Sequence, residues 1–214
     1  MTVAAVVVAA GQGVRFGGLK QFAVLENESV SARSVRNARS VAPFVVLVVP
    51  AGYSGDGEGA DVVVTGGSTR AASVRAGLAH CPDADVIVVH DAARPLASPE
   101  LFAAVVAAVR EGADGAVPGL AITDTVKRVS TQGALRVVLG TESRENLVTV
   151  QTPQAFRRDV LTRAHAHATD ATDDAALVEA VGARVVVVPG ERDNIKITSI
   201  GDLERVAQFQ RSGQ

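Results

Sequence analysis

Ala9-Ala10-Gly11-Gln12-Gly13-Val14-Arg15-Phe16-Gly17-Gly18-Leu19-Lys20-Gln21 follows directly on the apolar run Val3–Val8. The run is short, rich in valine and without polar alternation, which predicts a buried strand opening into a loop. Gly11 and Gly13 permit positive φ and a close backbone approach to a ligand. Successive bare N–H groups in such a loop form a concavity suited to phosphate oxygens. Arg15 and Lys20 add two positive charges. The stretch reads as a triphosphate cradle, set against the plainer reading of a Gly-rich turn with solvated charges. Two familiar phosphate loops do not fit. The dinucleotide fingerprint needs glycine where Phe16 stands, and an acid closing the second strand, where Val49-Pro50 has none. A Walker loop counted from Gly13 puts Leu19 where lysine is required.

Outward from this loop, apolar runs alternate with helical patterns. A helix is predicted over 29–41, capped by Ser29, with Arg33, Arg36 and Arg39 on a solvated face. Strands follow at 44–49 and 61–65, with a Gly-rich acidic surface loop over 53–59 between them. Gly66-Gly67-Ser68-Thr69-Arg70 turns into a helix carrying Ser73 and Arg75. A strand over 86–90 runs into His90-Asp91-Ala92-Ala93-Arg94-Pro95, and a helix over 98–111 precedes a strand from Gly115. This alternation predicts an α/β fold, a mostly parallel Rossmann-like sheet with helices on both faces. Ligands bind such sheets outside the carboxyl ends of the strands, where loops 9–21, 66–70 and 90–95 all fall.

The pattern changes at Ile122. Thr123 to Val129, the turn Thr131-Gln132-Gly133 and Leu135 to Val138 read as a hairpin with no helix between its strands. A lone two-stranded hairpin is marginal in water, so it needs a partner, and exchange of arms between two subunits is one solution. Residues 149–156 return to the sheet. Helices are predicted over 157–168, 173–181 and 200–209, with a strand over 184–188.

The 214 residues favour a single domain, 1–214, with 122–145 as a β-arm. Hydrophobic residues make up 47% but aromatic residues only 3%, so the core is built from Ala, Val and Leu. A net charge of −2 points to neither a nucleic-acid nor a membrane partner. The N-terminal apolar run is too short for a span and has no basic leader, so no anchor or signal peptide is expected. The single cysteine, Cys81, allows no internal disulfide and suits a reducing cytoplasm. Of 21 basic residues only Lys20, Lys127 and Lys196 are lysines. A compact ammonium sits against one phosphate oxygen where a guanidinium fork needs more room. His165 and His167, two apart on a helix, point to different faces and are expected at the surface, not as a zinc pair.

Taken in order, A-A-G-x-G-x-R-F with L-K-Q-F, G-G-S-T-R-x-x-S-V, H-D-A-A-R-P, D-T-V-K, Q-T-P-Q-A-F, T-D-D-A and D-N-I-K-I-T resemble the 2-C-methyl-D-erythritol 4-phosphate cytidylyltransferase family. The resemblance runs from about Val3 to Arg205. It implies a nucleotidyltransferase α/β fold with a β-arm, a homodimer, and transfer of a cytidylyl group from CTP to the sugar-phosphate with Mg²⁺, releasing pyrophosphate. Residue by residue, it implies that Arg15 and Lys20 stabilise the transition state and departing pyrophosphate, and that Arg144 and Lys196 hold the sugar-phosphate. Ala10, Gly67, Ser68 and Ser73 correspond to contacts with cytosine and ribose, and Gly11, Gly13 and Arg70 fall on the same nucleotide side. Asp91 corresponds to a carboxylate on the nucleotide and metal side. Arg94, Thr125, Thr152 and Thr172 correspond to the second substrate's pocket, and Asp193 to a residue orienting the cations.

The chemistry agrees with that residue set. A phosphate monoester is largely ionised at neutral pH, its second pKa lying near about 6. No general base is therefore needed, and the task is to bring two anions together and stabilise charge at phosphorus. Two departures from the family pattern leave the preferred acceptor open. Lys20 follows Arg15 by fewer positions than usual, with Leu19 in place of proline, and Ser68 replaces a common acidic residue. A relative acting on ribitol 5-phosphate or another polyol phosphate, and a non-catalytic CTP-binding paralogue, are the competing readings. A dinucleotide-dependent reductase is disfavoured by Phe16 and the missing acid.

Overall fold

The computed structural model describes every residue except Gln12, Val14, Arg15, Ala168, Thr169, Asp170, Thr172, Gly213 and Gln214. Its elements in chain order are β1 (Val3–Val8), a 3-10 turn (Lys20–Phe22), β2 (Val24–Leu25), β3 (Glu28–Ser29), α1 (Val30–Ala38), β4 (Phe44–Val49), β5 (Val62–Thr65), α2 (Arg70–Leu78), β6 (Val86–Asp91) and α3 (Pro99–Arg110). Then come β7 (Gly115–Ala121), β8 (Val126–Gln132), β9 (Leu135–Glu142), β10 (Val148–Val150), β11 (Gln154–Arg157), α4 (Arg158–His167), α5 (Asp174–Ala180), β12 (Val185–Pro189) and α6 (Ile200–Ser212).

Eight strands form one sheet in the order β10-β7-β11-β6-β1-β4-β5, with β12 on β7. The pairs β4–β1, β6–β1, β5–β4 and β12–β7 are parallel, whereas β11 lies antiparallel between β6 and β7. Residues of β1 alternate between two cores. Val3, Ala5 and Val7 pack with α1 and α3, while Ala4 and Val6 pack with α2, α4 and α5. Apolar side chains on both faces are why these strands read as unbroken valine runs. From β1 the chain moves outward to β4 and β5, then returns to place β6 on the other side of β1. The loops leaving β1 and β6 therefore part in opposite directions, which opens a crevice beyond Val8 and its register partner Asp91.

The hairpin β8–β9 makes its own two-stranded sheet, with a register shift between Arg128 and Val129. It grows from between β7 and β10, which pair antiparallel from Ala121 and Val148. Leu135, Val138 and Leu139 on it are exposed.

Four details differ from the sequence expectation. The short β2–β3 ladder and the 3-10 turn were not foreseen. That ladder presents Glu28 to α1, with Glu26 at the turn between its strands. Arg33, expected in solvent, is consequently buried, bonding Glu28 at 2.7 Å and Glu26 at 3.1 Å. In the 53–59 loop, Tyr53 turns inward and stacks on Phe22 with ring centroids 4.8 Å apart.

Candidate active site

The strand-to-helix loop after β1 is pinned from within. Buried Gln21 donates from Nε2 to the carbonyls of Ala9 (2.7 Å) and Gly11 (2.9 Å). Gly13 has φ +62°, and a Cβ there would collide with the Gly18 carbonyl, so the turn needs glycine. Lys20, at the start of the 3-10 turn, donates from Nζ to the Ile197 carbonyl at 2.5 Å. Ile197 is fully buried with Leu25, Val30 and Val206, and its own N–H bonds the Ala93 carbonyl. The D-N-I-K-I-T segment is thereby held against the ends of β1 and β6.

Asn194 does the same work further along. Its fully buried side chain donates to the Thr152 carbonyl at 2.9 Å, and its carbonyl accepts from Arg94 Nη1 at 2.8 Å. Gln151 donates to the Glu191 carbonyl, and Glu191 accepts from Ser98, the N-cap of α3.

Asp91 closes β6 and is the hub of the charges. Its Oδ2 accepts from Lys196 Nζ at 2.6 Å and its Oδ1 from Arg70 Nε at 3.2 Å. Burial opposes its charge, but Arg70 and Lys196 outweigh burial and hold the carboxyl well below the usual carboxylate range. Burial likewise works against Arg70, and Asp91 and Asp174 more than compensate, so its guanidinium is held charged. Burial lowers Arg94 from the ordinary arginine value. His90 is fully buried, and burial lowers it to about 4, so it is a neutral ring at pH 7. Its Nε2 donates to the Arg94 carbonyl. The Thr152 hydroxyl donates to its Nδ1 and accepts from the Asp91 N–H at 3.0 Å. This uncharged relay fixes the backbone at Asp91.

Two adjoining cavities result. The larger, about 470 Å³, is lined by Ala10, Gly11, Lys20, Gly67, Ser68, Arg70, Ser73, Asp91 and Lys196 among others. Gly66 keeps its floor close, since a Cβ there would come within 2.7 Å of Ser73 Oγ. Ser73 Oγ donates to the Thr69 carbonyl, and Thr69 caps α2. The smaller cavity, about 120 Å³, shares Arg70, Asp91 and Lys196 and adds Arg94, Thr152, Gln154 and Asp173. The arrangement is a concave, cation-rich crevice suited to two anionic ligands side by side.

Lys20, Lys196, Ala10, Gly11, Gly67, Ser68, Arg70, Ser73 and Asp91 thus meet at one cavity, and Arg94 and Thr152 at the next. Gly13 shapes the loop without lining either cavity. Thr125 and Arg144 lie exposed at the base of the arm, where Arg144 donates to the Thr123 carbonyl. Asp193, expected to orient the cations, is exposed and lines neither cavity. Arg15 and Thr172 lie outside the described residues. His165, expected at the surface, is buried, with Nε2 at 2.9 Å from Asp174 Oδ1, because α5 packs against α4. The side chain of His167 lies outside the described residues.

A family model, IspD: 2-C-methyl-D-erythritol 4-phosphate cytidylyltransferase, matches residues 3–211. The chain belongs to this family. It is 45% identical to the 2-C-methyl-D-erythritol 4-phosphate cytidylyltransferase of Rhodococcus jostii, over 94% of this chain and 92% of that protein. It is also 45% identical to the bifunctional enzyme IspD/IspF of Clavibacter michiganensis, over 95% of this chain but 53% of that protein. The chain therefore spans about half the length of its bifunctional relatives. The crystal structure of the Thermus thermophilus cytidylyltransferase superposes with a TM-score of 0.82 at 33% identity, covering 96% of this chain and 98% of that one. The cytidylyltransferase family accounts for the fold, a mixed α/β nucleotidyltransferase with a mostly parallel sheet. Among the described residues no helix is long and apolar enough to cross a membrane.

Proposed function

We propose that this chain transfers the cytidylyl group of CTP to 2-C-methyl-D-erythritol 4-phosphate, releasing pyrophosphate, as a cytoplasmic homodimer. The observation that carries the reading is the meeting of Lys20, Arg70, Lys196 and Asp91 in one cavity at the carboxyl edge of β1 and β6. CTP occupies the larger cavity, its base and ribose toward Ala10, Gly67, Ser68 and Ser73 and its phosphates toward Lys20 and the Gly11–Gly13 loop. The sugar-phosphate enters the smaller cavity beside Arg94 and Thr152. Its ionised phosphate oxygen attacks the α-phosphorus in line, and pyrophosphate departs toward Lys20 and, by the family pattern, Arg15. Lys196, anchored by Asp91, shields one anion from the other.

Mg²⁺ accompanies the nucleotide in this reading. Among the described residues no group of three or more His, Cys, Asp or Glu is placed to hold a metal, and both oxygens of Asp91 already accept from cations. The phosphates would supply most ligands, and Asp91, whose oxygens each keep a lone pair beyond the cation they hold, would supply the protein's share. A bound Mg²⁺ neutralises triphosphate charge and aids departure of pyrophosphate. The arm, residues 122–145, carries Thr125 and Arg144 toward the sugar-phosphate cavity of a second copy, burying its exposed Leu135, Val138 and Leu139 in a two-fold contact. The deciding experiment is CTP-dependent pyrophosphate release across a panel of polyol phosphates. Release with methylerythritol phosphate in preference to ribitol 5-phosphate is expected; CTP binding with no release on any acceptor would leave a CTP-binding paralogue.

A further inference from the structure

Arg70 reaches into both cavities, and it is held from two sides. Its Nε meets Asp91, while its Nη1 lies 2.7 Å from Oδ2 of Asp174, a residue with no exposed surface. The other oxygen of Asp174 meets His165 Nε2 at 2.9 Å. A continuous line of groups, Lys196–Asp91–Arg70–Asp174–His165, therefore runs from the cavity to the interior of α4. A carboxylate only accepts hydrogen bonds, so His165 donates from Nε2. Its Nδ1 is buried without a partner among the described residues, so the bond to Asp174 is the one that orients the ring.

Geometry gives the line a purpose. A guanidinium bonded to one carboxylate still swivels about that contact, whereas bonds from Nε and Nη1 to two separate carboxylates fix its plane. Nη2 of Arg70, buried and without a partner among the described residues, is the remaining edge of that plane. Asp174 can fix Arg70 only if its own carboxylate is prevented from rotating, and the His165 bond supplies that restraint. We propose that His165 and Asp174 are positioning residues for cytidylyl transfer, setting the Arg70 guanidinium between the nucleotide and acceptor cavities. The inference rests on the cytidylyltransferase reading, but one of its tests does not need turnover.

His165→Leu keeps apolar bulk and removes the donor, whereas His165→Gln keeps an N–H of similar reach. Pyrophosphate release is measured well below the melting temperature of each variant. Leu is expected to lower kcat roughly tenfold, the scale on which partners that orient site ligands act, and Gln to recover most of the loss. A folded Leu variant with wild-type kcat and KM, or a Gln variant as slow as Leu, overturns the proposal. Should the variants fail to fold, the wild-type protein labelled with ¹⁵N-histidine decides. The Nε2 resonance of His165, assigned through bonds, is expected to shift on saturation with CTP, and a resonance that stays put overturns the proposal. Absence of pyrophosphate from the wild type would overturn the cytidylyltransferase reading, and the kinetic half of this inference with it. Normal turnover with a silent His165 resonance would overturn this inference alone.

Discussion

Asp91→Asn removes one negative charge from between Arg70 and Lys196 while keeping the side chain's shape. Removing one partner of a fully buried ion pair costs about 3–5 kcal/mol. Here the loss is smaller, because Arg70 keeps Asp174 and the Lys196 side chain, 41% exposed, can turn to water. We expect about 2 kcal/mol. In a chain of this length each kcal/mol moves the melting temperature by roughly 2–4 °C, so the variant should melt roughly 4–8 °C lower at neutral pH. The pH dependence carries its own sign. The Asp91 carboxyl is held below the usual range when folded, and an unfolded aspartate titrates near about 3.9. Its stabilisation is therefore complete above that value and is lost as pH falls toward the folded one. Melts followed by circular dichroism from about pH 7 to about pH 3 should show a constant gap between wild type and variant that narrows below about pH 4. A gap that is absent at neutral pH, or that does not change in acid, would refute the account of Asp91 as the ionised hub.

Lys20→Ala should lower kcat roughly a hundredfold, as a charge contact that strengthens in the transition state is lost; Arg144→Ala should act mainly through the KM for the sugar-phosphate, and a rise in the KM for CTP alone would misplace that residue. Replacing residues 126–138 by a short Gly-Ser link should leave the sheet folded and CTP bound while dimer and turnover disappear; sedimentation with a turnover assay checks both, and an active monomer would remove the arm from the site. His90 should stay neutral until pH approaches about 4. Because its folded value is lowered by burial, stability should fall as pH drops from the unfolded value near about 6.5 toward about 4, and His90→Asn should flatten that slope in denaturant titrations.

Much of this architecture was legible because its cause is local. Val3–Val8, Phe44–Val49 and the Val86–Val89 stretch of β6 are flanked by core on both faces, so each had to be an unbroken apolar run. The change at Ile122 was equally readable, since no helical period separates β8 from β9. What stayed hidden depends on contacts between distant segments. Gln154–Arg157 is too short for its residues to reveal that it runs antiparallel to β6 and β7. Arg33 and His165 were misread because helical period says which residues share a face, not what another segment brings against it. Residue types and motif order pointed to Lys20, Asp91 and Lys196, which line one cavity. They did not supply Gln21, Gln151 and Asn194, whose amides do their work on backbone carbonyls and leave no charge pattern to follow.

The stacking of Tyr53 on Phe22 has a practical consequence. The chain has one tyrosine and no tryptophan, so emission excited at wavelengths too long for its six phenylalanines comes from a single ring. That ring touches the last residue of the 3-10 turn that begins at Lys20. The protein thus carries its own optical gauge beside the proposed phosphate cradle, needing neither label nor engineered fluorophore. Titration with pyrophosphate, which is transparent where tyrosine is excited, would let the loop report its own occupancy.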